Sequence, residues 1–155
     1  MTGSVDPADR AEASELLARY AEAIDGGDFA ALGRLLADAV LEDEHGDEIA
    51  RGADEVEALY TATTRRFEDD GTPHSAHVIT NVIVETVPDA DDELELRSRF
   101  TVLQGTDRLG LQPVVVGRYV DRVRRGPGGW RFVRRRMIPE RWGDVGDHLT
   151  FDPRP

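Results

Sequence analysis

The N-terminal part of the chain has the apolar spacing of amphipathic helices. In DPADRAEASELLARYAEAIDGGDF, apolar residues recur at intervals of three and four, which predicts a long helix that Asp6 caps and Gly26-Gly27 ends. A short second helix is predicted after Asp28, and a third over residues 53–67. Between these two, AVLEDE and DEIARG predict two short strands around Gly46-Asp47.

After the third helix the apolar period changes from 3.6 to 2. Long strands are predicted at residues 75–87, 93–104, 111–124 and 130–138. The breaks between them, PDADD, GTDRLG and RRGPGG, are short and have turn composition, so the strands should form an antiparallel meander. The pattern therefore predicts an α+β fold in one domain, residues 1–155, with an ordered core over about 8–149. A strongly curved sheet around the first helix would bury its apolar face and leave a pocket at the open end.

Composition narrows the chemistry. The 155 residues include no cysteine, and all 19 basic residues are arginine, which excludes thiolate and disulfide chemistry and lysine Schiff bases. The net charge of −12 opposes binding to nucleic acid or to an anionic membrane. With 39% apolar residues, no apolar run of about 18 residues and no visible leader, a soluble cytoplasmic protein is expected.

The strand SAHVITNVIVE carries two polar residues, His77 and Asn81, among apolar neighbours. Strict alternation places both on one face together with Ile79 and Ile83. These polar groups either have local partners inside the core or line a cavity. A structural role is the more common one for a single histidine of this kind.

Asp25 ends the first helix at the edge of its apolar face. A carboxylate at a helix C-terminus opposes the helix dipole, so it gains no stability from that position. It could simply face solvent. If it instead met His77, it would fix the imidazole tautomer and leave the second ring nitrogen as a base.

Other residues are weaker candidates. Arg134 and Arg136 share the parity of Trp130 and Phe132, so Arg136 could bind a substrate anion in the cavity, although paired surface charge is the favoured explanation of RRR. The aromatic residues expected to line the pocket or to belong to the core are Tyr20, Tyr60 and Trp142.

Metal binding is not expected. His74 and His77 are three residues apart on a strand and point in opposite directions. In GDVGDH, loop capping and surface pairing account for Asp144, Asp147 and His148.

The chain resembles the SnoaL-like branch of the nuclear-transport-factor-2-like (NTF2-like) superfamily over residues 10–149. The resemblance is carried by LLARYAEAIDGGDFAALGRLLADA, IARGADEVEALY, HVITNVIVE, GRYVDRVRRGPGGWRFVRRRMI and GDVGDHL, in that order and spacing. It implies a cone-shaped fold in which a curved antiparallel sheet wraps around the long N-terminal helix and encloses a cavity. Members commonly form homodimers or homotrimers.

The resemblance also implies a function. Dehydratases and dehydrochlorinases of the superfamily use an Asp–His dyad whose Asp ends the first helix and whose His precedes a Thr-Asn pair on a long strand, matching Asp25 and His77 in HVITN. The implied activity is a cofactor-independent lyase or isomerase, of dehydratase, cyclase or ketone-isomerase type. It would act on a small hydrophobic molecule in the internal cavity. Tyr20, Tyr60, Asn81, Arg136 and Trp142 are the expected substrate-binding residues.

A non-catalytic role is the alternative. The chain would then bind a ligand or form oligomer contacts, as do the small subunits of aromatic-ring-hydroxylating dioxygenases, whose fold is similar. An open outer sheet face bearing Val114, Val116 and Val120 would suit packing against another copy.

Overall fold

The computed structural model describes residues 3–154, and its elements follow the predicted order. The helices are α1 (Pro7–Asp25), α2 (Phe29–Leu35) and α3 (Gly52–Thr63), and the strands are β1 (Val40–Glu42), β2 (Glu48–Arg51), β3 (Ser75–Val87), β4 (Ala90–Gln104), β5 (Gln112–Gly126) and β6 (Gly129–Trp142). The third helix ends four residues earlier than predicted. Thr64 leaves it in extended conformation and bridges to Leu149 instead.

Local sequence signals explain the helix boundaries. The Asp6 carboxylate accepts the Ala8 N–H at 2.8 Å, and the Asp28 carboxylate accepts the Ala31 N–H at 2.8 Å, so each caps a helix as predicted. Gly27 adopts φ +69° in the turn between α1 and α2. The face of α1 turned to the core buries Ala13, Leu17, Tyr20 and Ile24.

The six strands form one curved mixed sheet in the order β2-β1-β6-β5-β4-β3. Strands β3 to β6 make the predicted antiparallel meander, and β1 joins it by pairing parallel to β6. Helix α1 packs against β3, β4 and β6. The α+β, NTF2-like architecture predicted from the sequence is therefore confirmed. Within residues 3–154 no helix combines the length and apolarity needed to cross a membrane.

A bulge in β3 reverses the inward and outward faces of that strand. Thr80 pairs with Arg99 but Ile83 pairs with Arg97, so Asn81 and Val82 stand opposite a single residue of β4. Asn81 adopts φ +55°, a conformation that asparagine tolerates better than most residues. His77 and Ile79 face inward before the bulge, whereas Val82 and Val84 are the more buried residues after it.

A second bulge reverses the faces of β6. Phe132 pairs with Val123 and Arg134 with Arg122, which leaves Val133 as the extra residue. Phe132 is buried before the bulge and Arg135 after it, so the alternation assumed from the sequence fails at this point.

The predicted outer face of β5 also needs a correction. Val114 is fully buried, because it is the extra residue of a bulge against β4 and is covered by the segment around Gly143, whose N–H donates to the Val114 carbonyl. Large apolar side chains of the sheet that are exposed include Val78 (41%) and Ile83 (47%), on β3.

Candidate active site

A cavity of about 370 Å³ opens at one end of the fold, within the size range of small-molecule sites. Its walls are mainly aromatic and aliphatic, and its polar groups are few. Residues from α1, α3, the sheet and the C-terminal segment contribute, among them Tyr20, Tyr60, His77, Phe100, Tyr119, Met137, Trp142 and His148. Two acidic residues of the β1–β2 turn, Asp43 and Glu44, also line it.

The structure brings Asp25 into contact with His77, whose side chain lines this cavity. His77 Nδ1 lies 2.6 Å from Asp25 Oδ1, and the His77 backbone N–H donates to Asp25 Oδ2 at 2.7 Å. Ser75 Oγ donates to Asp25 Oδ1 at 2.9 Å. The His77 side chain is 4% exposed and that of Asp25 23%. The carboxylate at the end of α1 thus binds the first residues of β3 and does not simply face solvent.

These contacts determine the tautomer of His77. Burial opposes ionisation of Asp25, but hydrogen bonds from His77 and Ser75 and the charge interaction with His77 outweigh it, and the pKa of Asp25 is lowered. An ionised carboxylate only accepts hydrogen bonds, so Nδ1 carries the proton and donates. The lone pair of the neutral imidazole then lies on Nε2, which has no hydrogen-bond partner among residues 3–154.

Tyrosine hydroxyls form the second polar feature of the cavity. Tyr20 Oη and Tyr60 Oη are 2.8 Å apart, and Tyr60 also donates to Met137 Sδ at 3.5 Å. The Tyr20 ring meets the His77 ring edge-on, with centroids 6.1 Å apart. Burial raises the pKa of Tyr60 and of Tyr119 well above that of an exposed phenol, so both hydroxyls stay protonated.

Three of the five predicted substrate-binding residues, Tyr20, Tyr60 and Trp142, line the cavity, and two lie elsewhere. Asn81 is exposed and lines a shallow outer depression, because the bulge at that residue reverses the strand. Arg136 is paired outside the cavity with Glu42, at 3.4 Å, and is 38% exposed. The sequence-based expectation that these two side chains share the cavity with His77 was therefore wrong.

The bulge in β6 instead buries Arg135, which sequence analysis did not single out. Its guanidinium carbon lies 3.8 Å from the ring centroid of Tyr20 and 3.7 Å from that of Tyr119, and these two rings meet edge to face. Its counter-charge is Asp121, with Nε to Oδ1 at 3.4 Å, and both side chains are fully buried. Arg135 thus lies behind tyrosines that line the cavity.

Ser75, Tyr119 and His148 were also missed. Ser75 lies two residues before His77 on the same face of β3, and this spacing could have predicted that both side chains meet Asp25. His148 belongs to GDVGDH, which was interpreted as loop capping and surface pairing. That interpretation fits Asp144 and Asp147, which bind Arg108, but His148 is 5% exposed and lines the cavity.

One cluster outside the cavity has metal-ligating residue types. The ligand atoms of Asp69, Asp70 and His74 lie within 4.8 Å of one another. His74 Nε2 bonds Asp69 at 2.9 Å, and its ring stacks on Phe67 with centroids 4.3 Å apart. These three groups therefore already have partners within the loop before β3.

Comparison with solved structures assigns the fold class. A candidate aromatic ring hydroxylase from Novosphingobium aromaticivorans has a TM-score of 0.72 and 23% identity, covering 93% of this chain and 99% of the other. An NTF2-like protein with a cystatin-like fold from the same organism scores 0.68 at 26% identity, covering 89% and 86%. A candidate scytalone dehydratase, again from that organism, scores 0.68 at 19% identity, covering 88% and 87%. This chain thus has the cystatin-like, NTF2-like fold.

The family follows from the sequence match. The model of the SnoaL-like domain matches residues 6–136, most of the chain. The protein belongs to the SnoaL-like family. Among curated proteins, none matches this sequence.

Proposed function

We propose that this protein is a cofactor-independent lyase or isomerase that removes a proton from carbon in a small, largely apolar molecule. The observation that carries the proposal is the 2.6 Å contact between His77 Nδ1 and Asp25 Oδ1, with the His77 side chain lining a cavity of about 370 Å³. Because Asp25 holds Nδ1, Nε2 is the ring nitrogen available to act as a base toward a substrate. General-base help of this kind accelerates proton transfer by about 10²–10⁴.

In the proposed step, His77 moves the proton and Asp25 stabilises the charge that forms. His77 Nε2 accepts a proton from the carbon next to a carbonyl, and the C–H electron pair moves to the carbonyl oxygen as an enolate forms. Asp25 stabilises the resulting imidazolium through Nδ1–H. In an isomerisation of a β,γ-unsaturated ketone, the imidazolium returns the proton to the γ-carbon of the dienolate. In an elimination, the enolate re-forms the carbonyl, the leaving group departs from the next carbon with its bonding electron pair, and the imidazolium gives its proton to that group.

Tyr60 is the proposed donor to the developing oxyanion, and Tyr20 supports it by donating to the Tyr60 oxygen. The Tyr60 hydroxyl donates to Met137 Sδ at 3.5 Å, and a thioether is a weak acceptor. A substrate oxygen would displace the sulfur as acceptor without breaking a strong bond. The 2.8 Å contact between the two hydroxyls would hold Tyr60 in place during the exchange.

Hydrogen–deuterium exchange tests the proposal before the natural substrate is known. Small uncharged ketones, such as 2-tetralone and 1-indanone, are incubated with the protein in D₂O, and loss of the α-proton signal is followed by NMR. We expect catalysed exchange for at least one ketone and a loss of about 10²–10⁴ in the His77→Gln variant. His45→Gln is the matched control, because the His45 side chain is 76% exposed.

Two outcomes would contradict the proposal. One is equal catalysed exchange by the wild-type protein and His77→Gln at equal folded concentration. The other is the absence of catalysed exchange across a broad ketone panel whose members demonstrably bind. Either result would favour the non-catalytic, ligand-binding alternative.

A further inference from the structure

His148 lies in the same cavity as the proposed base, but it has a different environment. Its ring centroid is 6.3 Å from that of His77, with the planes inclined by 53°, and no hydrogen bond joins the two rings. The side chain lines the cavity and is 5% exposed. Its Nδ1 is buried without a hydrogen-bond partner among residues 3–154. Buried polar groups in folded proteins nearly always have a hydrogen-bond partner, so this arrangement needs an explanation.

The segment that carries His148 does not depend on the imidazole for its structure. The His148 N–H donates to the Val145 carbonyl at 3.0 Å, and the His148 carbonyl accepts the Arg65 N–H at 2.9 Å. Asp147 is held by Thr106 Oγ1 at 2.6 Å and Arg108 Nε at 3.0 Å. Backbone contacts and the neighbouring carboxylate therefore fix the loop and leave the imidazole available to the cavity.

Charge separates the two histidines. His77 has a carboxylate partner in direct contact, whereas the charged and titratable groups that act on His148 are His77 and the more distant Asp25. Burial, and to a smaller extent His77, lower the pKa of His148 to about 4, and Asp25 opposes the shift. His148 is consequently neutral near pH 7, with one N–H donor and one lone pair.

We propose that His148 is a second substrate-binding residue, whose imidazole hydrogen-bonds the oxygen of an uncharged molecule bearing a hydroxyl or carbonyl group. The molecule would lie in the cavity that His148 and His77 both line. This inference rests on the proposed function for the role of His77, and it adds the group that orients the substrate. A neutral imidazole suits an uncharged oxygen, because it can donate or accept without requiring a counter-charge.

Binding of a matched probe pair tests the inference without turnover. The probes are 2-naphthol and naphthalene, which share a ring system and differ in one hydroxyl, and affinity is measured by fluorescence. We expect His148→Phe to weaken 2-naphthol about five- to tenfold and to leave naphthalene within about twofold. His148→Gln, which keeps a neutral donor and acceptor, should retain part of the preference, and His45→Gln should retain all of it.

Equal weakening of both probes in His148→Phe, or of neither, would overturn the inference, since packing alone would then explain the residue. A measurement on the unmodified protein avoids any dependence on folding of the variants. The imidazole ¹⁵N resonances of His148 should shift when 2-naphthol binds and change little with naphthalene at equal occupancy. Identical responses to the two probes would also overturn it.

The two proposals fail in different ways. If ketone exchange depends on His77 and the His148 variants keep the full preference for 2-naphthol, the assignment of His148 is wrong and the function stands. If the preference depends on His148 while no ketone is exchanged, the assignment of His148 stands as a binding role and the catalytic proposal is wrong.

Discussion

Asp25–His77 and Asp121–Arg135 each join a carboxylate to a basic side chain in the interior of the fold, and their environments differ in almost every respect. Asp25 accepts three hydrogen bonds, from Ser75 Oγ and from the ring and backbone of His77, and it is 23% exposed beside the cavity. Asp121 faces Arg135 across 3.4 Å, both fully buried, and neither side chain has a hydrogen-bond partner in the described chain. The Asp25–His77 pair has its hydrogen bonds made and can be reached from the cavity. The Asp121–Arg135 pair, called the sealed pair below, is closed off from solvent.

The difference teaches which pair is suited to proton transfer. An imidazole nitrogen can accept or donate a proton, and His77 Nε2 has no hydrogen-bond partner among residues 3–154, so the Asp25–His77 pair can exchange a proton with a ligand in the cavity. Arginine keeps its proton, and the Arg135 side chain is fully buried against the rings of Tyr20 and Tyr119, so the Asp121–Arg135 pair cannot take part in such exchange. Its position behind these tyrosines suits it to support the cavity wall.

The largest effect should come from breaking the sealed pair. Arg135→Met leaves Asp121 buried without a counter-charge, so we expect a loss of about 3–5 kcal/mol in the free energy of unfolding. Burial already raises the pKa of Asp121 to about 6, with Arg135 opposing the shift, so the loss should be larger at pH 8 than at pH 5, where protonation removes the unpaired charge. Guanidinium unfolding of both proteins at the two pH values measures this.

A paired substitution is the control for that result. Arg135→Met combined with Asp121→Leu removes both charges, and most of the lost stability should return. If the double variant is no more stable than Arg135→Met, packing of the guanidinium against the tyrosines, and not the unpaired charge, is the dominant contribution.

An effect of intermediate size on the free energy of unfolding is expected from the titration of His148. This imidazole lies near the Asp25–His77 pair but has no carboxylate in contact with it. Its pKa is about 4 when folded and near 6.5 when unfolded, so the unfolded chain binds more protons between these values and stability rises with pH across that window. Lowering the pH from 7 to 5 should therefore cost the wild-type protein about 2 kcal/mol relative to His148→Gln.

Comparing the two proteins isolates His148. The buried Asp121 titrates with the opposite sign over a similar range, because its raised pKa makes the folded chain bind the extra proton, but that contribution is common to both proteins and cancels. Parallel stability curves for the wild type and His148→Gln between pH 5 and pH 7 would show that His148 titrates normally in the folded state.

The smallest effect on the free energy of unfolding should come from changing the Asp25–His77 pair. Asp25→Asn keeps an acceptor for the His77 backbone N–H and removes the charge, so we expect a loss of about 1–2 kcal/mol in unfolding free energy. Asp28→Asn is the matched control and should be nearly neutral, because asparagine caps a helix about as well as aspartate. A loss of 3 kcal/mol or more in Asp25→Asn would mean that this pair, too, is mainly structural.

Local patterns predicted the elements well, for identifiable reasons. The caps at Asp6 and Asp28 depend on residues within three positions of each other, so they can be recognised without tertiary information. The meander likewise depends on short turns between long alternating strands. Within the site, the end of α1 and the start of β3 lie before any bulge, and the expected orientation of His77 toward the cavity matches the structure.

Predictions failed beyond the first irregularity of a strand. Alternation was extended through Asn81 and through Val133, and in both cases one extra residue reversed the faces that follow. Asn81 and Arg136 were consequently placed in the cavity, and Arg135 was overlooked. His148 was missed for another reason, since it lies in a loop after the last strand and reaches the cavity only through that loop's path.

The order of the helices and strands and the antiparallel meander could be predicted from the amino-acid sequence. The sequence also showed that Asp25 ends one element and that His77 lies near the start of another. These follow from short-range periodicity and capping, which act over a few residues. The burial of Arg135, the outward position of Asn81 and the position of His148 near His77 could be seen only in the folded structure. Those outcomes depend on strand register and loop path, which are set by packing between residues far apart in the chain.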